Sequence, residues 1–394
     1  MKTNFQSSSR FLPVLFILAG SFLLTIETEC QPIKLDLKKL PEKKVLKLSE
    51  IGVADMQYIP LETSPECVIK SIRNIIFAKD FFLIQYFADI NMFRYDGSFV
   101  TKIGTIGRGP NEFTIAHDVD INPKTGSIYV ADGWQQKFLV FNKNGKVLRT
   151  FKTPITGAFN FKFSDDGILC YFQNHMGTTE NSFILIDTIG NIIKKFPNKY
   201  PWKRTVPNVA YMGENIFYRF NGDLIKKEIY SDTVYSYKNK GFEPHLILDV
   251  GKLRLTPAKR EENDAKFIMN NFLTPMNLFE FGSFIYYEFV IPWEGETEDL
   301  SYIGSKNGNF SALFDPETEL INDFDAGPNI WPRTVKDNST MVAWIDAIKL
   351  KQYVISNDFK TLKPLYSEKK KQLEKFALSV KETDNPIIML IKIK

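Results

Sequence analysis

The sequence predicts an all-β chain folded as a six-bladed β-propeller with four-stranded antiparallel blades. Three observations carry this expectation. Aromatic residues are abundant, 34 Phe and 16 Tyr, and such side chains favour the pleated, half-buried surface of a strand. Short apolar runs alternate with turn residues along most of the chain. The turns also repeat. Tyr95-Asp96-Gly97-Ser98-Phe99-Val100 returns in altered form at Asn142–Val147, Asp187–Ile192 and Ser305–Phe310, with a looser copy at Tyr237–Phe242. Each is a Gly-bearing tight turn between two apolar runs, as in a hairpin whose turn requires positive φ. Gly97, Gly145 and Gly190 follow one another at about 45–50 residues, the period of a four-stranded blade.

The strands of each unit can be placed around these turns. The first unit takes Ile69–Phe77, Phe82–Tyr86, Met92–Tyr95 and Phe99–Ile103. The second takes Ile115–Ile121 as its innermost strand, then Ile128–Ala131, Lys137–Phe141 and Val147–Phe151. Phe159–Phe163, Ile168–Phe172, Phe183–Ile186 and Ile192–Phe196 make the third. The fourth uses Ile216–Phe220, Leu224–Glu228, Thr233–Tyr237 and His245–Val250. Met276–Phe281, Phe284–Val290, Leu300–Gly304 and Phe310–Phe314 form the fifth. A sixth blade is shared between the ends: Thr334–Lys336, Met341–Ile345 and the apolar Ile387–Ile393, with Met56–Leu61 as the outermost strand. Closure of this kind removes the open sheet edges of an unclosed array.

Two helices are expected as insertions. Thr256-Pro257 makes a cap followed by a residue suited to a first helical turn, and the polar run continues to Asn271. A second begins near Ser367, with Leu373, Phe376, Ala377 and Val380 at helical spacing. No Gly/Ser-rich or Pro-rich linker divides the chain, so residues 44–394 are expected to form a single propeller domain.

Residues 1–30 read as a secretory signal peptide: Lys2 and Arg10 precede an apolar run from Phe11 to Ile26 that is short for a membrane span. Cys30 invites acylation, whereas Glu27-Thr28-Glu29 is a poor match to the small residues that precede a lipidated cysteine; lipidation, plain cleavage and a retained anchor stay open. The expected location is exported, whether periplasmic, cell-surface or secreted, with membrane contact only through a lipid on Cys30. Cys67 and Cys170 could pair in an oxidising compartment, but two separate buried thiols are the simpler expectation.

Gly107-Arg108-Gly109-Pro110-Asn111-Glu112-Phe113, followed by Gly126-Ser127-Ile128-Tyr129-Val130-Ala131-Asp132, resembles NHL-type propeller repeats. With Tyr58-Ile59-Pro60-Leu61-Glu62-Thr63, Ser231-Asp232-Thr233-Val234-Tyr235 and Asn385-Pro386, the chain is similar to the bacterial exported family of six-bladed β-propeller proteins from residue 44 onward. That resemblance implies a fold and an exported location. It implies no general activity and supplies no catalytic residue.

Much familiar chemistry is missing from the sequence. There is no dinucleotide fingerprint, phosphate loop, nucleophile elbow or zinc helix. The formal charge is only +4, and its basic residues form no stripe with interleaved aromatics, so nucleic acid is not an expected partner. No cofactor and no metal is expected. His117-Asp118, near the central channel and the Arg108–Glu112 loop, is the one candidate acid–base pair, and a lyase or hydrolase acting on a polysaccharide or similar polymer is the alternative function. The preferred function is a non-enzymatic binding propeller. Strand alternation puts Trp134, Trp202, Trp293 and Trp331 in connections on one face, with Arg108, Asn111, Glu112, Arg204 and Arg333 nearby. Flat aromatic surfaces with polar neighbours suit a glycan, a peptide or an envelope protein partner.

Overall fold

The computed structural model describes residues 1–4, 32–153, 158–203, 211, 213–293 and 295–394. The leader and Cys30 fall outside the described residues, as does Arg204. Pro32–Lys394 cluster as one unit.

Among the described residues six sheets have a core of four antiparallel strands, and a seventh is a short parallel pair of Leu46–Lys47 with Leu320–Ile321. The first contains Asn74–Phe77, Phe82–Tyr86, Asp89–Phe93 and Phe99–Lys102, and the second Asp118–Ile121, Ile128–Asp132, Lys137–Phe141 and Val147–Lys152. Ala158–Ser164, Gly167–Phe172, Asn181–Ile186 and Ile192–Pro197 form the third. The fourth holds Asn215–Phe220, Asp223–Glu228, Thr233–Lys238 and Gly241–Asp249. In the fifth are Thr274–Phe281, Phe284–Trp293, Glu296–Ser305 and Ser311–Phe314. The sixth joins Thr334–Asp337, Thr340–Ile345 and Ile387–Ile393 to Val53–Pro60 from near the other end of the chain.

The middle strands are buried on both faces because each sheet packs between two others. Leu83 and Met92 of the first sheet meet Val119, Val130 and Leu139 of the second, while Phe82 and Ile84, one residue out of phase, meet Ile59, Val342 and Ile388 of the sixth. Period-two alternation thus builds two cores from one strand. Phe138 and Val140 repeat the arrangement against Phe161 and Ile184 of the third sheet. The first strands of neighbouring sheets lie side by side at five junctions, including the sixth sheet against the first, and between the third and fourth sheets Ala158–Ser164 meets Asp223–Glu228. This all-β arrangement of four-stranded antiparallel sheets is a β-propeller.

The repeated glycines have a packing reason as well as a conformational one. Gly97 and Gly145 adopt φ of 88° and 74°. A Cβ on Gly97 would meet the Pro60 carbonyl oxygen of the sixth sheet at 1.9 Å, and one on Gly145 the Lys102 carbonyl oxygen of the first at 2.7 Å. Each hairpin therefore rests on the outermost strand of the preceding sheet, which leaves no room for a side chain.

Several features depart from expectation. Ile33–Asp36 pairs in parallel with Gly241–Asp249 and gives the fourth sheet a fifth strand, covering an edge that would otherwise be open. Two inserted helices were expected, and the described residues hold five α-helices. The run after Thr256 breaks into Pro257–Glu262 and Ala265–Asn271, because the Asp264 carboxylate accepts the Phe267 N–H at 2.8 Å and starts a new helix. Ser367–Ser379 is preceded by Ala347–Ile355 and Asn357–Thr361, and the three bury Leu350, Val354, Phe359 and Leu373 together against Ile387. Cys67 and Cys170 are buried, unpaired thiols in separate cores; burial pushes the Cys67 thiol up to about 11.

Candidate binding site

Asp118 opens the innermost strand of the second sheet, and His117 immediately precedes it. The His117 N–H donates to the Ala131 carbonyl at 2.9 Å, and its Nδ1 accepts the Gly133 N–H at 3.1 Å. The imidazole stands edge-on to Trp134, with ring centroids 5.4 Å apart and planes at 75°. Trp134 keeps 69% of its surface exposed. One sheet away, the Arg73 guanidinium lies 5.6 Å over the ring of Phe87. Phe87 is 48% exposed and has φ of 50°, a left-handed backbone that a bulky residue adopts at a cost of about 1 kcal/mol. Arg73 and His117 each immediately precede strands that lie side by side, so Phe87, Arg73, His117 and Trp134 form one aromatic and basic strip.

Burial holds the His117 imidazole below its ordinary pKa, Arg73 adds to this, and the carboxylates of Asp132 and Asp118 oppose it. The ring is therefore neutral at pH 7. In an Arg73→Ala variant an NMR titration should find the His117 pKa higher than in the parent chain, since a neighbouring cation has gone. A fall, or no change, would mean that the two side chains do not share a surface.

The expected His117–Asp118 acid–base pair does not form. Neighbouring positions of an extended chain project oppositely, and Asp118 turns towards the third sheet. There it accepts the Phe161 N–H at 2.9 Å and pairs with Lys162 at 2.8 Å, with 3% of its surface exposed. Glu112 is also committed to structure, folding back so that its carboxylate accepts the Gly109 N–H at 2.9 Å. Arg108 and Asn111 at the tip of that turn are exposed.

The four tryptophans do not make one open platform. Trp202 is buried among Tyr211, Tyr230, Leu255 and Phe272, with Arg260 stacked 5.3 Å from it. Trp293 ends a strand and packs on the core shared by the fourth to sixth sheets. Trp331 is half-buried and donates its Nε1–H to Glu288 at 3.2 Å, and Arg333 lies flat on it at 3.2 Å. Trp134 alone of the four is freely exposed. Arg73 and Phe87 were not singled out in the sequence, although Phe87 occupies in the first unit the turn that Trp134 occupies in the second.

At the opposite strand ends, a cavity of about 920 Å³ is lined by Phe77, Tyr95, Asp120, Arg219, Lys336 and Asp337 among others. Asp120 accepts the Phe163 N–H at 2.8 Å and pairs with Arg219 at 3.6 Å. This hydrogen bond and ion pair tie the second sheet to the third and fourth, so the Asp120 carboxylate is occupied within the fold. Among the described residues no group of three or more His, Cys, Asp and Glu is arranged to hold a metal ion.

No curated protein matches the chain. Among solved structures, a Bacteroides fragilis protein designated as exported is similar over 92% of this chain and 99% of its own, at 16% identity and a TM-score of 0.65. A Bacteroides vulgatus member of the DUF4221 family is similar over 87% of this chain and 97% of its own, at 10% identity and a TM-score of 0.49. The first of these likenesses establishes a shared fold. The match of residues 32–392 to the domain of unknown function DUF4934 shows the family, and the chain belongs to it.

Proposed function

We propose that this chain is an exported six-bladed β-propeller that binds, rather than transforms, a ligand outside the cytoplasm, at the end of the ring bearing Trp134. The observation that carries the reading is the strip of Phe87, Arg73, His117 and Trp134, which combines two exposed aromatic rings with a guanidinium. Exposed aromatics rimmed by polar groups are what binding surfaces need. A glycan, a peptide or an envelope protein has the matching chemistry. Asp118 is spent on Lys162, so its carboxylate is committed to the fold rather than to acid–base work beside His117.

Six blades are supported by six sheets with four antiparallel strands each, whose inner strands adjoin from sheet to sheet. Closure by both chain ends is supported by Val53–Pro60 beside Ile387–Ile393, and by the fit of Gly97 on Pro60. Export is supported by the signal-like residues 1–30, and a fold shared with a protein designated as exported agrees with it.

A thermal-shift screen of the full chain against glycans and peptides tests the reading, since a ligand that binds the native state raises its apparent stability. Trp134→Ala should leave the unliganded midpoint almost unchanged, because the ring is exposed. It should abolish the shift given by the true ligand. Hits whose shifts survive Trp134→Ala and Phe87→Ala alike would move the site elsewhere.

A further inference from the structure

Arg73, His117 and Arg333 occupy one equivalent position in three consecutive sheets. Each immediately precedes the innermost strand of its sheet, the first, the second and the sixth respectively. Asn74 pairs with Gln85, and the Arg73 N–H donates to the Gln85 carbonyl at 2.9 Å. Asp118 pairs with Ala131, and His117 donates to Ala131 at the same distance. Thr334 pairs with Val342, and Arg333 donates to Val342, again at 2.9 Å. The sixth, first and second sheets adjoin through these strands. The three side chains therefore recur blade by blade around one mouth of the ring.

Every member of this set rests on an aromatic ring: Arg73 on Phe87, His117 on Trp134, and Arg333 on Trp331. Among the described residues neither guanidinium has a carboxylate within 4.0 Å. Of the carboxylates around these groups, Asp132 and Glu288 are turned inward and occupied, whereas the exposed Glu317 acts on Arg333 from beyond ion-pair distance. Asp132, 1% exposed, accepts from Thr114 and Gln135, and Glu288 accepts from Tyr286 and Trp331. At the two arginines, fixed positive charge thus lies beside flat aromatic surface, with the imidazole of His117 at the equivalent position of the neighbouring sheet.

We infer that the ligand of this mouth is a carboxylate-bearing polysaccharide, a polymer of uronic acid residues. The inference rests on the reading of this end as the binding face. A uronic acid ring carries an apolar C–H face and a carboxylate on one residue, and each station of the arc offers an aromatic plane and a nitrogen donor group. Guanidinium matches carboxylate with paired, parallel N–H···O bonds. A repeating polyanion matches a repeating array; an acidic peptide supplies the charge without the flat face.

Titration calorimetry on the full chain tests this with polygalacturonate and alginate fragments, dextran as the neutral polymer, and poly-L-glutamate and oligothymidylate as polyanions without uronic acid rings. At least one uronan should bind, more weakly as salt rises. Arg73→Ala and Arg333→Ala should each lower its affinity about tenfold, as expected for hydrogen bonds to a charged group. Arg73 is exposed, so its variant keeps the test valid if Arg333→Ala folds poorly. Dextran binding as tightly as either uronan, and lost in Trp134→Ala, would overturn the uronan and keep the binding face. Preference for poly-L-glutamate or oligothymidylate would do the same. Uronan binding indifferent to both arginine variants, or no binding by any polymer, would overturn the inference, and the second result would remove the binding face with it.

Discussion

Truncation after Pro386 is expected to abolish the cooperative unfolding transition of the whole chain. It removes Ile387–Ile393, six of whose seven residues are buried. Alternate side chains serve two cores: Ile388 and Leu390 pack with the first sheet, while Met389, Ile391 and Ile393 pack with the fifth. The strand also sits between Thr340–Ile345 and Val53–Pro60, so its loss breaks two ladders and releases the outermost strand. Because the sixth sheet is the junction between the first and fifth, the damage extends to both. The single change Ile391→Ala should cost about 2–5 kcal/mol in a urea titration, the range for a buried large-to-small substitution. Deleting Ile33–Asp36 makes the control. That strand forms one parallel ladder at the margin of the fourth sheet, and its removal should leave a cooperative transition. If the truncated chain unfolds with an unchanged midpoint, the ring is not closed through these strands.

Strand positions were legible because a propeller repeats one local pattern. Gly97, Gly145 and Gly190 mark the same hairpin, each with positive φ, and the apolar runs on either side give the four strands without any long-range information. Helices Ala347–Ile355 and Asn357–Thr361 were not legible, since the first follows the strand ending at Ile345 after the single residue Asp346, and that cap makes no side-chain bond. Tryptophan exposure could not be read at all. Trp202 and Trp134 look alike in sequence, but Arg260 and the helices after Thr256 close over one of them. The binding strip was half legible. His117 and Trp134 stood out as rare residue types, whereas Arg73 and Phe87 gain meaning only when the first sheet is superposed on the second. Equivalence between units was present in the sequence, but it lay in the residue before each innermost strand rather than in the turns.

Replacing Glu280 should produce a large loss of stability, because its carboxylate is the centre of a buried network. This carboxylate is fully buried between the fourth and fifth sheets. It accepts from Tyr218 at 2.9 Å, meets His245 Nε2 at 2.6 Å and pairs with Lys306 at 2.8 Å, while Lys306 lies 3.4 Å over the ring of Phe220. Removing the charge strands Lys306 in an apolar setting, and breaking a buried pair from one side costs about 3–5 kcal/mol. Glu280→Leu should therefore lower the urea midpoint by that amount. Glu280→Leu with Lys306→Met should recover part of it, because the orphaned charge is gone as well. Burial pushes the Glu280 carboxyl up, yet His245 and Lys306 bring it below the ordinary value of 4.5. A carboxyl depressed in the folded state contributes stability above its unfolded pKa and loses it as pH falls through the folded one. The parent chain should accordingly lose stability in acid more steeply than Glu280→Leu does. Equal acid sensitivity, or a midpoint within about 1 kcal/mol of the parent, would mean that the two sheets are held by their apolar faces alone.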